Sequence, residues 1–193
     1  MKSFENLPEN YNKIYVIDLQ KNKKMSVIVN GLAIIIAALL AIPMSFIVPF
    51  NTMFDVESGM NTMLMKSGIL IALMIAYMVL HELVHGIAMK ICGTKRVKYG
   101  FTGLYAFAGS NDYYDKKSYI FIALAPVVLW GIVLVIVNLL VPIEWFWIVY
   151  LIQIINLSGA AGDLFVTVKF SRLPSDILIQ DYGVGMTVFF KKQ

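Results

Sequence analysis

The sequence predicts an all-α polytopic membrane protein with four transmembrane helices and a small β-like loop and tail outside them. Hydrophobic residues make up 59% of the 193 residues and charged residues only 15%, whereas typical soluble domains have about 25% charged residues. The apolar residues lie in long blocks, and a helix needs roughly 20 apolar residues to cross a bilayer. These observations predict a single membrane domain over residues 1–193.

Four apolar blocks are long enough to span, and the first and third contain no charged residue. The expected helices cover residues 25–50, 67–90, 118–141 and 145–168, preceded by an N-terminal segment (1–24) and followed by a tail (169–193). Residues 13–20 have the pattern of a strand or an interfacial helix, and residues 93–117 that of a hairpin or a re-entrant segment. Residues 177–190 resemble two strands about a turn.

The basic residues predict the orientation. Of the 16 lysines and arginines, all but Lys66 fall in the N-terminal segment, the loop between the second and third spans, and the tail. The positive-inside rule then predicts a multi-pass protein of the cell membrane with both termini cytoplasmic. This placement accounts for the net charge of +4 without a nucleic-acid partner.

Of the 12 acidic residues, only Glu82 and Asp163 fall inside the predicted spans. An ionisable group at that depth costs about 2.5–3.5 kcal/mol, so each is a candidate for function. Glu82 belongs to the string HELVHG, which contains His81 and His85, the only histidines of the chain. A four-residue offset places both imidazoles on one helix face, where they can bind one zinc ion while Glu82 acts as a general base. A polar cluster that joins helices, or part of an ion or proton pathway, remains the alternative.

Asp163 is the expected third zinc ligand. His85 lies five residues before Lys90 and Asp163 six before Lys169, so both should lie roughly 7–9 Å from the cytoplasmic boundary. Their two spans run in the same direction, which lets the side chains meet at one level. A buried partner for a lysine or a backbone cap is the alternative for Asp163.

Asn156 lies two helical turns before Asp163 on the same face. We expect it to act in catalysis by hydrogen-bonding the scissile carbonyl or the substrate backbone. An ordinary interhelical hydrogen bond is equally compatible with its position. Residues 158–162 are all small, which favours the close helix approach that a short aspartate needs to reach a metal on another helix.

HELVHG in one span, ALAP in the next, and an asparagine followed by Gly-Asp in the last resemble the family called "Putative zincin peptidase". The pattern is more distantly similar to the site-2 protease class of intramembrane metalloproteases. That resemblance implies a three-helix core at residues 67–168 that binds zinc, with the aspartate as a ligand. The chain departs from the site-2 pattern because Gly162-Asp163-Leu164 replaces Leu-Asp-Gly and no proline separates Asn156 from Asp163.

The predicted function is therefore that of a zinc-dependent membrane-embedded endopeptidase that cleaves a membrane-protein or peptide substrate in or beside the bilayer. The glycine-containing loop at residues 93–109 would pair with the substrate as an added strand. A non-proteolytic metal-binding protein with an immunity, accessory or scaffold role is the main alternative. A metal-ion transporter is less favoured, because the spans hold a single cluster of ligands.

Overall fold

The computed structural model describes residues 2–18, 21–53, 59–103, 106–183 and 185–192. Within these ranges the chain forms five α-helices and seven strands. In chain order they are β1 (Ser3–Phe4), β2 (Tyr11–Ile17), α1 (Lys23–Ile47), α2 (Gly59–Ile91), β3 (Lys98–Phe101), β4 (Ala106–Gly109), β5 (Tyr113–Asp115), α3 (Lys116–Leu140), α4 (Phe146–Gly159), α5 (Ala161–Ser171), β6 (Ile177–Asp181) and β7 (Met186–Lys191).

Four helical segments are long and apolar enough to cross a membrane: α1, α2, α3 and the segment Ile143–Ser171 that contains α4 and α5. The expectation of four helices long enough to span a membrane is confirmed, and together they indicate a multi-pass membrane protein. Helix α2 begins earlier than expected, at Gly59, and so includes Lys66. This lysine is buried and donates hydrogen bonds to the carbonyls of Met53 at 3.3 Å and Glu144 at 3.0 Å. These bonds compensate for the desolvation of its ammonium group.

The predicted all-α class is wrong, because the segments outside the spans form two β-sheets. Strands from three separate parts of the chain build a five-stranded antiparallel sheet in the order β1-β5-β6-β7-β2. The other sheet is the hairpin β3–β4. The two strands expected in the tail are β6 and β7, and the segment left open at residues 13–20 is a strand as far as Ile17, while residues 19–20 lie outside the described part.

The five-stranded sheet packs against the ends of the helices. Ile17, Ile179 and Val188 on the sheet are fully buried in one cluster with Ile122 of α3 and Phe170 of α5. Burying such side chains contributes roughly 1.5–3 kcal/mol each. The sheet therefore fixes the positions of the helix ends around it, which are the ends that carry the site.

The fourth span is two helices instead of the single helix expected at residues 145–168. Helix α4 ends at Gly159 and α5 begins at Ala161, with Ala160 between them at φ −82° and ψ 15°. Asp163 consequently lies in the first turn of α5. The positive end of a helix dipole favours a carboxylate at that position.

Candidate metal centre

The structure brings His81, His85 and Asp163 together, although they lie on two different helices. Nε2 of His81 is 3.5 Å from Oδ2 of Asp163, and Nε2 of His85 is 3.6 Å from the same oxygen. One ligand atom from each of the three residues lies within 4.8 Å of the others. The two imidazole rings, one helical turn apart, have centroids 4.9 Å apart. His85 and Asp163 therefore meet across the two helices, as their expected equal depth requires.

The second nitrogen of each imidazole is already engaged. Nδ1 of His85 lies 2.9 Å from the carbonyl oxygen of Ile122, and Nδ1 of His81 lies 2.8 Å from the hydroxyl of Tyr77. A carbonyl only accepts, so Nδ1 of His85 carries a hydrogen and donates it. When the ring is neutral, its Nε2 presents a lone pair to the Asp163 carboxylate. Two acceptors that face each other need a proton or a metal cation between them.

The donor set fits zinc. Two imidazole nitrogens and one carboxylate oxygen are a ligand combination of catalytic zinc sites, which keep a further position open. Metal-binding histidines also donate their other ring N–H to an oxygen, as the Ile122 carbonyl allows here. His81, His85 and Asp163 could therefore hold the ion.

Glu82 lies beside this group at the wall of a cavity of about 1010 Å³. The cavity is bounded by parts of all five helices, by β4 and by the β6–β7 turn, and it also reaches the three candidate ligands. The backbone N–H of Ala108 in β4 faces the Glu82 carboxylate. Glu82 is thus placed where water and a substrate can reach it, as a general base requires.

Asn156 is fully buried, and its amide is used inside the protein. Its Nδ2 donates to the carbonyl of Val127 at 3.2 Å, and its Oδ1 accepts from the hydroxyl of Tyr77 at 2.7 Å. Asn156 is not among the described residues that line the cavity. The contacts are the interhelical hydrogen bonds that the sequence left open as an alternative, and the expected contact with substrate stays a prediction.

Small residues allow the close approaches around the site. Ala160 and Ala161, at the break between α4 and α5, are each 1% exposed. A Cβ at Gly86, the last residue of HELVHG, would overlap the hydroxyl of Tyr99 in β3. The glycine that follows His85 therefore lets the β3–β4 hairpin lie against α2, and β4 reaches Glu82 as a result.

Sequence reasoning missed two features near the centre. Tyr77 contacts His81, and its position one turn before His81 on α2 was a readable signal. Asp181, which the sequence assigned to the tail, lines the cavity and accepts hydrogen bonds from the Tyr119 hydroxyl at 2.7 Å and the Gly183 N–H at 2.8 Å. Burial raises the pKa of Asp181. Local sequence gives no signal for Asp181, because only the sheet carries it to the cavity.

Comparison with known proteins bears on this geometry. The model of the family described as "Putative zincin peptidase" matches residues 74–178, more than half of the chain. The chain belongs to this family. The matched region contains all five residues that the sequence singled out. The family description supports a metallopeptidase-like role for this chain. It also makes zinc the expected metal at His81, His85 and Asp163.

A curated relative from Pyrococcus woesei, "Uncharacterized 24.7 kDa protein in gap 5'region", is 28% identical over 123 residues. The match covers 58% of this chain and 51% of the relative, so the chain spans about half the length of that protein. No solved structure matches the chain. The more distant resemblance to site-2 proteases stays a prediction.

Proposed function

We propose that this protein is a zinc-dependent, membrane-embedded endopeptidase that cleaves a peptide bond in or next to the bilayer. The observation that carries the proposal is the convergence of His81, His85 and Asp163 within 4.8 Å, beside Glu82 at the wall of a cavity. A structural zinc site normally has four protein ligands. The described cluster has three and opens on the cavity, which favours a catalytic site over the non-proteolytic alternative.

In the proposed mechanism His81, His85 and Asp163 hold the ion. Zinc bound there supplies Lewis acidity to a peptide carbonyl and to water. Glu82 accepts a proton as water oxygen bonds to the carbonyl carbon, and it returns that proton to the amine nitrogen when the C–N bond breaks. The fixed hydrogen bonds at Nδ1 of both histidines keep the ligands oriented during these steps.

The open edge of β4 supports an extended substrate. Among the described residues β4 pairs only with β3. Backbone groups of a strand alternate between its two edges, and the N–H of Ala108 points away from β3, towards Glu82. The backbone groups of Ala106 therefore share that edge, and Ala106 also lines the cavity. A substrate strand added along β4 would bring its peptide bond next to Glu82.

The cavity walls support a substrate that comes from the membrane. Val29 and Asn30 of α1 and Met74 and Met78 of α2 line the cavity, and all four lie within membrane-spanning helices. A membrane-protein or membrane-bound peptide substrate can reach the site from within the bilayer. The basic residues predict that both termini are cytoplasmic, and this orientation would place the metal centre near the cytoplasmic face of the membrane.

Glu82→Gln tests the proposal because it keeps the size of the side chain and removes the base. We expect this variant to keep zinc at the wild-type stoichiometry and to lose cleavage by roughly 10²–10⁴-fold. Cells that express the wild type or the variant are compared by quantifying new N-termini among membrane proteins. Wild-type-specific termini support the proposal. If the zinc-loaded variant produces the same new N-termini as the wild type, Glu82 is not the base. If neither protein produces new N-termini, a non-proteolytic metal-binding role is favoured.

A further inference from the structure

Nδ1 of each histidine of the metal centre lies within hydrogen-bonding distance of a separate oxygen atom, and a residue on a neighbouring helix controls each of these oxygens. The acceptor for His85 is the carbonyl of Ile122 in α3. In an α-helix this carbonyl would accept the N–H of the residue four positions later. That residue is Pro126, which has no N–H and lies inside α3. The proline leaves the Ile122 carbonyl free for His85.

The acceptor for His81 is the hydroxyl of Tyr77. The Asn156 amide is oriented by its donation to the Val127 carbonyl, so its oxygen faces Tyr77 at 2.7 Å. An amide oxygen only accepts, so it takes the single hydrogen of the tyrosine hydroxyl. Tyr77 then has only lone pairs to offer His81, and Nδ1 of His81 must donate across the 2.8 Å contact.

We propose that Pro126 and Asn156 are positioning residues that hold both histidines with the ring hydrogen on Nδ1, so that both Nε2 atoms point their lone pairs at the metal position. This proposal rests on the proposed metal site and names the residues that orient its two histidine rings. Asn156 acts through Tyr77, and Pro126 acts through the Ile122 carbonyl. Both Nε2 atoms already face Asp163, at 3.5 and 3.6 Å. Neither positioning residue needs to contact the substrate.

Pro126→Ala gives a sharp test because alanine restores a backbone N–H that competes with His85 for the Ile122 carbonyl. Alanine also favours a helix far more than proline does, so the variant should fold at least as well as the wild type. We expect its zinc affinity to fall by about 10- to 100-fold, as for other residues that orient metal ligands. Affinity is measured on the detergent-purified full chain by competition with a chromophoric chelator. Pro43→Ala is the matched control, since Pro43 also lies inside a spanning helix, α1, away from the cavity.

Nitrogen-15 NMR on histidine-labelled protein shows which ring nitrogen carries hydrogen. The signals can be assigned because the chain has only two histidines. In the zinc-loaded wild type, both Nδ1 atoms should carry hydrogen and both Nε2 atoms should bind zinc. Pro126→Ala should change only His85 and Tyr77→Phe only His81, so each ring is the control for the other. Asn156→Leu should change His81 although Tyr77 is still present, since the tyrosine hydrogen can then turn to Nδ1.

Zinc bound through Nδ1 of either ring, or an Nδ1 without hydrogen in the zinc-loaded wild type, would overturn the inference. So would unchanged zinc affinity and unchanged His85 signals in Pro126→Ala. A wild type that binds no zinc would contradict the metal site itself and the proposed function with it. A wild type that binds zinc through both Nε2 atoms but cleaves no peptide would contradict only the proposed function, and these residue roles would stand.

Discussion

Oδ2 of Asp163 lies 3.6 Å from Nε2 of His85, across the contact between two separate helical segments. Asp163 is held there by the break at Ala160, which starts α5 just before it, and His85 by its hydrogen bond to α3. Three helical segments thus have to pack correctly before the cluster exists.

Asp163→Ala should remove most of the zinc from the purified protein, because the two histidines alone leave the charge of the ion uncompensated in a buried site. Metal content is measured by mass spectrometry of the detergent-purified chain. Asp176→Ala, at an exposed position before β6, should keep the wild-type zinc content. Equal zinc content in the Asp163→Ala variant and the wild type would remove Asp163 from the site.

Gly86→Ala should destabilise the contact between α2 and the β3–β4 hairpin, because the new Cβ would overlap the Tyr99 hydroxyl. Overpacking inside a core costs about 1–3 kcal/mol, and the loss here should be near the lower value because Tyr99 is 50% exposed and its ring can move outward. Thermal unfolding in detergent should show the loss, and the double variant Gly86→Ala/Tyr99→Ala should recover part of it. Gly68→Ala in the same helix meets nothing within 4 Å and should be at least as stable as the wild type. A Gly86→Ala protein as stable as Gly68→Ala would show that the hairpin does not depend on this contact.

Asp181 should make the stability depend on pH. Burial raises its pKa above the value in the unfolded chain, so its favourable contribution is complete below the unfolded pKa, about 3.9. The contribution is lost as the pH rises through the higher folded pKa. Asp181→Asn should therefore unfold at a higher temperature than the wild type at neutral pH, with the difference shrinking towards acid pH. A constant difference between the two proteins across that range would contradict this assignment.

The basic residues predict that the C-terminus is cytoplasmic. Green fluorescent protein fused after the tail should fluoresce, and alkaline phosphatase at the same position should be inactive, since the first folds in the cytoplasm and the second needs an oxidising compartment. Fusions in the loop between α1 and α2 should give the opposite pair of results. Active phosphatase at the tail would reverse the orientation and place the metal centre at the other face.

Much of the helical architecture could be predicted from the sequence because it depends on local properties. Long apolar blocks predict α1 and α3 to within a few residues, whereas α2 begins at Gly59, well before the expected residue 67. The break at Ala160 has no strong local signal, since small residues are compatible with either a continuous or an interrupted helix. The five-stranded sheet was missed because strands as short as Ser3–Phe4 and Tyr113–Asp115 form only when distant segments pair.

The amino-acid sequence alone identifies HELVHG as a candidate metal-binding motif. The four-residue spacing places His81 and His85 on one face of a helix, whatever that helix packs against. Hydropathy likewise predicts four helices long and apolar enough to span a membrane. Tertiary structure decides which atoms face the metal position and what orients them. The free Ile122 carbonyl beside His85, the Asn156 amide behind Tyr77 and the carboxylate of Asp181 in the cavity all depend on contacts between remote segments. Such contacts arise from packing in three dimensions, which local sequence patterns do not encode.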